Sequence, residues 1–202
     1  MNNKYLHRFA VFVVSAALLI FLGCVGGTSK SSTFYLLMAL PESEATALEQ
    51  GGISVEIGPV IVPAYLDRSQ IASTGNDHKL YMDEFHRWAE PLKDSFGRVL
   101  AENLAILLKT ANVYMYPQRR GASVDFQVEI TVSRFFADTD GTAILAAYWS
   151  IVGKDGQTVM SRKRSSITQK AASKELGAIV AAQNRTLQEL SREIAAGIQK
   201  LQ

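Results

Sequence analysis

The chain has 202 residues, of which 48% are hydrophobic and 20% charged, with a formal net charge of +2 and a single cysteine. One cysteine excludes an internal disulfide, and a near-neutral balance gives no positive field to argue for a nucleic-acid partner. The length suits one domain with a proper core.

At the start, Lys4 and Arg8 flank a short polar stretch, and Phe9 to Leu22 is then apolar except for Ser15. This is the n-region and h-region pattern of a secretory signal. A helix over that run would be about 21 Å long, well short of the ~30 Å hydrocarbon core that a spanning helix must cross. A transmembrane helix is therefore not expected. No A-x-A-like cleavage site follows. Instead Phe21-Leu22-Gly23-Cys24 resembles the bacterial lipobox, with Phe21 where Leu is usual and Gly23 as the small residue before the cysteine.

That resemblance implies cleavage before Cys24 and acylation of its thiol, so the covalent lipid on Cys24 is the expected attachment and no other cofactor is expected. Each buried methylene contributes about 0.8 kcal/mol, so one acyl chain holds marginally and two or more hold stably. Val25, rather than Asp, follows the cysteine. By resemblance to Gram-negative lipoproteins this implies sorting to the outer membrane.

Removing residues 1–23 takes away Lys4 and Arg8 and no acidic residue, so the 21 Lys and Arg fall to 19 and equal the 19 Asp and Glu. The apparent basicity thus belongs to the signal, and the short runs "RR" at 119–120 and "SRKR" at 161–164 read as solvated loops or strand edges. Residues 24–32 read as a lipidated tether, small and polar after the cysteine. At ~3.3 Å per residue the part beyond Cys24 reaches at most about 26 Å. The body is expected over 33–202.

Along the body, "TFYLLMAL" at 33–40 predicts a buried strand ended by Pro41, and "ISVEIGPVIVP" at 53–63 a strand with a bulge or bend at Gly58-Pro59. "QIASTG" and "KLYMDEFHRWA" predict a hairpin turning near Asn76-Asp77. From Pro91 the period changes: Leu92, Phe96, Val99, Leu100, Leu104, Leu107 and Leu108 fall at helical spacing, with Pro91 expected in the first turn. "NVYMYP" at 112–117 reads as a strand. Sustained alternation within 124–138, carried by Val124, Phe126, Val128, Ile130 and Val132 and followed by runs near 143–153 and 157–168 joined by "DTDG" and "GKDG", predicts a three-stranded antiparallel meander.

The last element is a helix from about Ser173, expected as its N-cap with Glu175 in the first turn. Its apolar face is Leu176, Ile179, Val180, Leu187, Leu190, Ile194, Ile198 and Leu201, interrupted by Gln183 and Gly197. The fold class is α/β: a single domain with a mixed, mostly antiparallel sheet packed with two long helices.

Catalytic patterns are missing from the sequence. His78 and His86, eight residues apart on a strand, would sit about 26 Å from each other, too far to share a metal. No H-E-x-x-H, Gly-rich phosphate loop, or Ser-His-Asp or Cys-His arrangement stands out, so neither a metal site nor an enzyme is expected.

Three segments carry more information: Tyr65-Leu66-Asp67-Arg68-Ser69-Gln70-Ile71, Arg87-Trp88-Ala89-Glu90-Pro91-Leu92 and Arg98-Val99-Leu100-Ala101-Glu102-Asn103-Leu104. They resemble the hallmark segments of the ABC-transport auxiliary lipoproteins of the paraquat-inducible type, and the resemblance extends from "FYLL" through the terminal helix. It implies an outer-membrane lipoprotein on the periplasmic face, working with an MCE-domain protein and a membrane transporter to move lipid or another hydrophobic molecule. Assembly into a homo-oligomeric ring or collar is one way to complete an apolar path. The alternative is a stand-alone lipid-binding or structural lipoprotein.

Two readings of the hallmark residues remain open. Asp67 and Arg68 in a loop, with Arg87, Trp88 and Glu90 at a strand-to-helix junction, form an ion-pair and stacking cluster that braces the junction. Alternatively, Tyr65, Arg68 and Trp88 are exposed anchors for a partner. For the anchor itself the expected outcome is direct: intact mass of the membrane-extracted protein shows loss of residues 1–23 and added acyl groups, whereas Cys24→Ala keeps the uncleaved, unacylated mass.

Overall fold

The computed structural model describes residues 31–41, 52–75, 77, 79–117 and 123–202. Cys24, the signal segment, His78 and Arg119-Arg120 lie outside the described residues. The strands are β1 (Thr33–Tyr35), β2 (Val55–Ile61), β3 (Gln70–Thr74), β4 (Leu80–Trp88), β5 (Val113–Met115), β6 (Phe126–Asp138), β7 (Thr142–Gly153) and β8 (Thr158–Lys170). The helices are α1 (Leu92–Leu108), between β4 and β5, and α2 (Leu176–Gln199), after β8.

β6 organises the sheet. Its alternation places Val128, Ile130 and Val132 in the core, and Phe135 and Ala137 continue the buried face with the opposite parity. The parity changes because Val132 pairs with Ala147 and Arg134 with Ala146, leaving Ser133 as the extra residue of a bulge. One edge of β6 runs antiparallel to β7, which runs antiparallel to β8. Along the other edge lie two parallel partners end to end. β2 pairs from Val55↔Phe126 to Ile61↔Thr131, and β3 pairs at Ser73↔Ala137 and Thr74↔Asp138.

β3 continues antiparallel to β4, and β1 and β5 add short parallel strands to β4 and β2. The sheet is therefore mixed and curled, with its long ladders antiparallel. The fold class, the meander and the hairpin stand as the alternation predicts. The bulge in β2 also falls at Gly58-Pro59: the register slips between Ile57 and Val60, and a Cβ on Gly58 would lie 3.0 Å from the Val128 carbonyl oxygen.

Both helices bury one apolar stripe against this sheet and touch each other. Leu92, Phe96, Val99, Leu100 and Leu104 of α1 are buried, as are Val180, Leu187, Leu190, Ile194 and Ile198 of α2. α1 stops at Lys109, which takes the left-handed conformation at φ 56 and returns its N–H to the last-turn carbonyls. Gly197, expected as an interruption of the α2 face, is part of it. A Cβ there would meet the Trp149 ring at 3.1 Å, so the missing side chain lets helix and strand approach.

Three boundaries differ from expectation. The strand predicted over 33–40 pairs only as Thr33–Tyr35, because the following backbone bonds to side chains instead: Met38 N–H donates to Asn184 Oδ1 at 3.0 Å and Leu40 N–H to Asn103 Oδ1 at 2.7 Å. Pro91 is the N-cap of α1 rather than a first-turn residue. Ser173 does not cap α2. Its Oγ accepts from Glu175 N–H at 3.3 Å, two residues early, and Glu175 occupies the N-cap position.

Asn103, fully buried on α1, joins three parts of the core. Besides accepting from Leu40, its Nδ2 donates to Ser191 Oγ of α2 at 3.0 Å, and that hydroxyl donates to the Leu187 carbonyl at 2.8 Å. Asn103→Ala leaves the buried Leu40 N–H without its acceptor, so urea denaturation is expected to show a loss of about 2–4 kcal/mol. Glu102→Ala, at the preceding position of the same helix, removes an exposed ion pair with Arg98 one turn away and is expected to change stability by about 0.5 kcal/mol or less.

Candidate functional site

The loop between β2 and β3 passes over the middle of β6, where neither strand pairs. It turns at Pro63, whose carbonyl accepts from Leu66 N–H at 2.8 Å and Asp67 N–H at 3.2 Å. Leu66 is buried and holds the loop to the core. Half-buried Tyr65 donates its hydroxyl to the Ser133 carbonyl at 2.9 Å, satisfying the bulge residue of β6. Burial pushes the Tyr65 phenol above its ordinary pKa, against the opposing charge of Arg134, so it remains a donor throughout the neutral range.

The end of this loop meets the end of β4. Ser69 O accepts from Trp88 N–H at 2.6 Å, and Tyr35 O of β1 accepts from Ala89 N–H at 2.8 Å. The Trp88 side chain is 4% exposed and packs with its ring centroid 6.2 Å from that of Phe135, which meets Phe96 edge-on at 5.6 Å. These rings tie the junction of β4 and α1 into the core.

Above Trp88 lies an open cleft of about 420 Å³ between the loop and the start of α1, lined also by Asp67, Arg68, Ser69, Glu90, Lys93 and Asp94. The hallmark residues thus come together in part. Asp67, Arg68, Trp88 and Glu90 line one cleft. Tyr65 supports the loop from beneath, and Arg87 turns back along its own strand to Glu84, with Nη2 and Oε2 3.5 Å apart.

The expected mutual ion-pair cluster does not form. Asp67 faces Lys93 at 3.8 Å, and Glu90 pairs with Arg98, which also contacts Glu102 at 3.1 Å. Arg68 is exposed and has no ion-pair partner among the described residues. The proposal of Tyr65 and Trp88 as exposed anchors is likewise corrected, since one is half-buried and hydrogen-bonded and the other is core.

Arg98 is the functional-segment residue that sequence reasoning passed over. Its Nη2 bonds both Glu90 and the Leu37 carbonyl, the latter at 3.4 Å, so one guanidinium ties the segment after β1 to the helix entrance. The bond to Glu90 raises the Arg98 pKa, with burial opposing it and Glu102 adding to it, so the guanidinium side of the pair stays charged. Part of the signal was present in the sequence: Arg98 and Glu102 lie four residues apart on one face of the helix, with Glu90 just before its N-cap Pro91.

His86 is not oriented toward the cleft chemistry; its Nδ1 lies 2.9 Å from Asp83 Oδ1 within β4. Among the described residues, no group of three or more His, Cys, Asp or Glu side chains is placed to hold a metal ion.

Residues 35–195 match the family model described as the ABC-type transport auxiliary lipoprotein component. The chain is 26% identical over 148 residues to the intermembrane transport lipoprotein PqiC of Escherichia coli K12, covering 73% of this chain and 76% of that protein, and the Shigella flexneri PqiC matches equally.

Among solved structures, an uncharacterized protein superposes with a TM-score of 0.69 at 19% identity, covering 84% of this chain and 99% of that one. A Xanthomonas campestris protein superposes with a TM-score of 0.65 at 16% identity, covering 81% and 93%. These two likenesses establish the fold. The match spanning both hallmark cleft and terminal helix establishes the family: this chain belongs to the ABC-type transport auxiliary lipoproteins.

Proposed function

We propose that the protein is held in the outer membrane through acylated Cys24 and acts on the periplasmic face, docking with an MCE-domain protein of an ABC-type system that moves lipid or another hydrophobic molecule between membranes. It carries out no catalysis of its own. A domain of this size has no continuous apolar path, so the proposal includes assembly of several copies into a collar around the partner's tube.

The observation that carries the docking role is Arg68: an exposed guanidinium without an ion-pair partner among the described residues, on a loop fastened at Pro63, Leu66 and Ser69, at the rim of a cleft built from hallmark residues. Arg is enriched at interface hot spots, and its fork favours a carboxylate on the partner. The stand-alone lipid-binding alternative calls for an enclosed apolar cavity, whereas this cleft is open and rimmed by Asp67, Arg68, Glu90, Lys93 and Asp94.

The two halves of the cleft are expected to respond differently to substitution. Trp88→Ala removes a buried aromatic ring and is expected to cost about 3–5 kcal/mol in denaturant unfolding. Tyr65→Phe is expected to cost about 1 kcal/mol by removing the hydrogen bond to the bulge carbonyl. Arg68→Ala is expected to leave the melting temperature unchanged while weakening capture of the MCE-domain protein by ~2 kcal/mol or more. Normal capture by Arg68→Ala, together with no crosslink to an MCE-domain protein from position 68 in native membranes, would remove the docking role from this cleft.

A further inference from the structure

We propose that the stretch Phe34–Met38 seats the domain on the lipid bilayer that carries its anchor. Within this extended stretch the side chains alternate in burial. Leu37 is 1% exposed and Tyr35 half-buried, whereas Phe34, Leu36 and Met38 are 62%, 49% and 61% exposed. Residues two apart in extended chain lie ~6.6 Å apart on one side, so the three outward side chains form an apolar stripe about 13 Å long. Phe85 on β4, beside the Thr33↔His86 pairing, is 41% exposed and adjoins the stripe.

The stripe is held in place rather than hanging free. β1 pairs with β4 through Tyr35↔Trp88, Arg98 holds the Leu37 carbonyl at 3.4 Å, and Asn184 and Asn103 accept from the Met38 and Leu40 N–H groups at 3.0 and 2.7 Å. These bonds tie the backbone of the segment to the protein, and the outward side chains of Phe34, Leu36 and Met38 offer apolar surface. From Ser32 to Leu40 no residue is charged. Single exposed apolar residues are ordinary on a protein surface, but successive outward positions of one rigid segment form a patch.

The occupant follows from the position of the patch in the chain. Phe34 is ten residues after Cys24, a distance that extended chain spans in no more than about 33 Å, so acylation keeps the stripe close to the leaflet at high effective concentration. The stripe alone is too narrow for a stable protein interface, which takes ~800 Å² from each partner, and the side chains of Phe34, Leu36 and Met38 offer no polar group to specify one, the nearest being Arg87 opposite Phe34. A bilayer needs neither: the acyl chains supply the affinity, and the stripe adds apolar burial and fixes the domain's tilt. This inference rests on the acylation of Cys24 and goes beyond it in assigning a second, protein-borne membrane contact.

The test exploits the single cysteine, whose thiol is consumed by acylation. Phe34→Cys, Leu36→Cys, Met38→Cys and, on the exposed β7–β8 turn, Asp155→Cys are each spin-labelled in the full-length lipoprotein. The proteins are reconstituted in phosphatidylethanolamine/phosphatidylglycerol vesicles, with intact mass confirming acylation of Cys24. Collision with oxygen relative to an aqueous nickel chelate is expected to rise several-fold at 34, 36 and 38 over position 155. Labels at 34, 36 and 38 as open to the chelate as position 155, in acylated protein, overturn the proposal while leaving the anchor intact. Labels shielded from both reagents in detergent without vesicles overturn it in favour of a second copy. A chain that is unacylated by mass and also fails to bind vesicles overturns both the anchor and the seating.

Discussion

The amide of Asn103 is the constraint on which the arrangement of the domain depends. After Tyr35 the chain leaves the edge of the sheet, and its buried N–H groups lose strand partners that they cannot do without. Asn103 supplies the acceptor for Leu40 and spends its own N–H on Ser191 of α2, so one fully buried side chain fixes the entry segment, α1 and α2 relative to one another. A half-satisfied amide at this depth would cost more than an apolar residue, so the network works only when both bonds are made. With them made, Leu37 and Leu40 are buried, and Arg98, five residues earlier on α1, reaches the Leu37 carbonyl and Glu90.

The second requirement comes from β6, which serves two parallel neighbours in succession along one edge. A strand crossing from β2 to β3 territory needs its pleat reset if both halves are to face the helices, and the extra residue Ser133 does this. A bulge leaves backbone groups in need of partners. The Ser133 hydroxyl donates to the Ala146 carbonyl at 3.0 Å, and the Ser133 carbonyl accepts from Tyr65, so the loop that spans the gap between β2 and β3 is also what satisfies the irregularity beneath it. The candidate cleft thus sits where the fold has a structural reason to place a fixed loop.

Much of this was legible in the sequence. Alternation over β6, β7 and β8, the turn residues between them and the two helical stripes specify the meander and the helices, since each buries one face and the pattern records which. Three things were not legible, and each has a physical reason. "TFYLLMAL" reads as one strand because apolar alternation is the same whether the backbone bonds to a strand or to asparagine side chains. Ser173 has the chemistry of a cap, but a helix starts where its first turn can be packed, and Leu176 is where α2 enters the core cluster. Gln183 and Gly197 look like breaks in an apolar face, yet both are buried, Gly197 because Trp149 needs its space.

The hallmark segments illustrate a deeper ambiguity. Tyr, Trp and Arg are favoured at binding hot spots for the same reasons that they are favoured at structural junctions: large apolar area with a polar end, and a guanidinium that bonds in several directions. Sequence therefore cannot divide Tyr65, Arg68 and Trp88 between the two uses, whereas burial and partners can. Trp88 uses its ring and Tyr65 its hydroxyl on the protein itself, and so do Arg87 and Glu90 with their charges. Among the described residues Arg68 alone of the set has no ion-pair partner, on a loop anchored at both ends. A loop already fixed loses little conformational entropy on association, so the bracing by its neighbours favours the docking role proposed for Arg68.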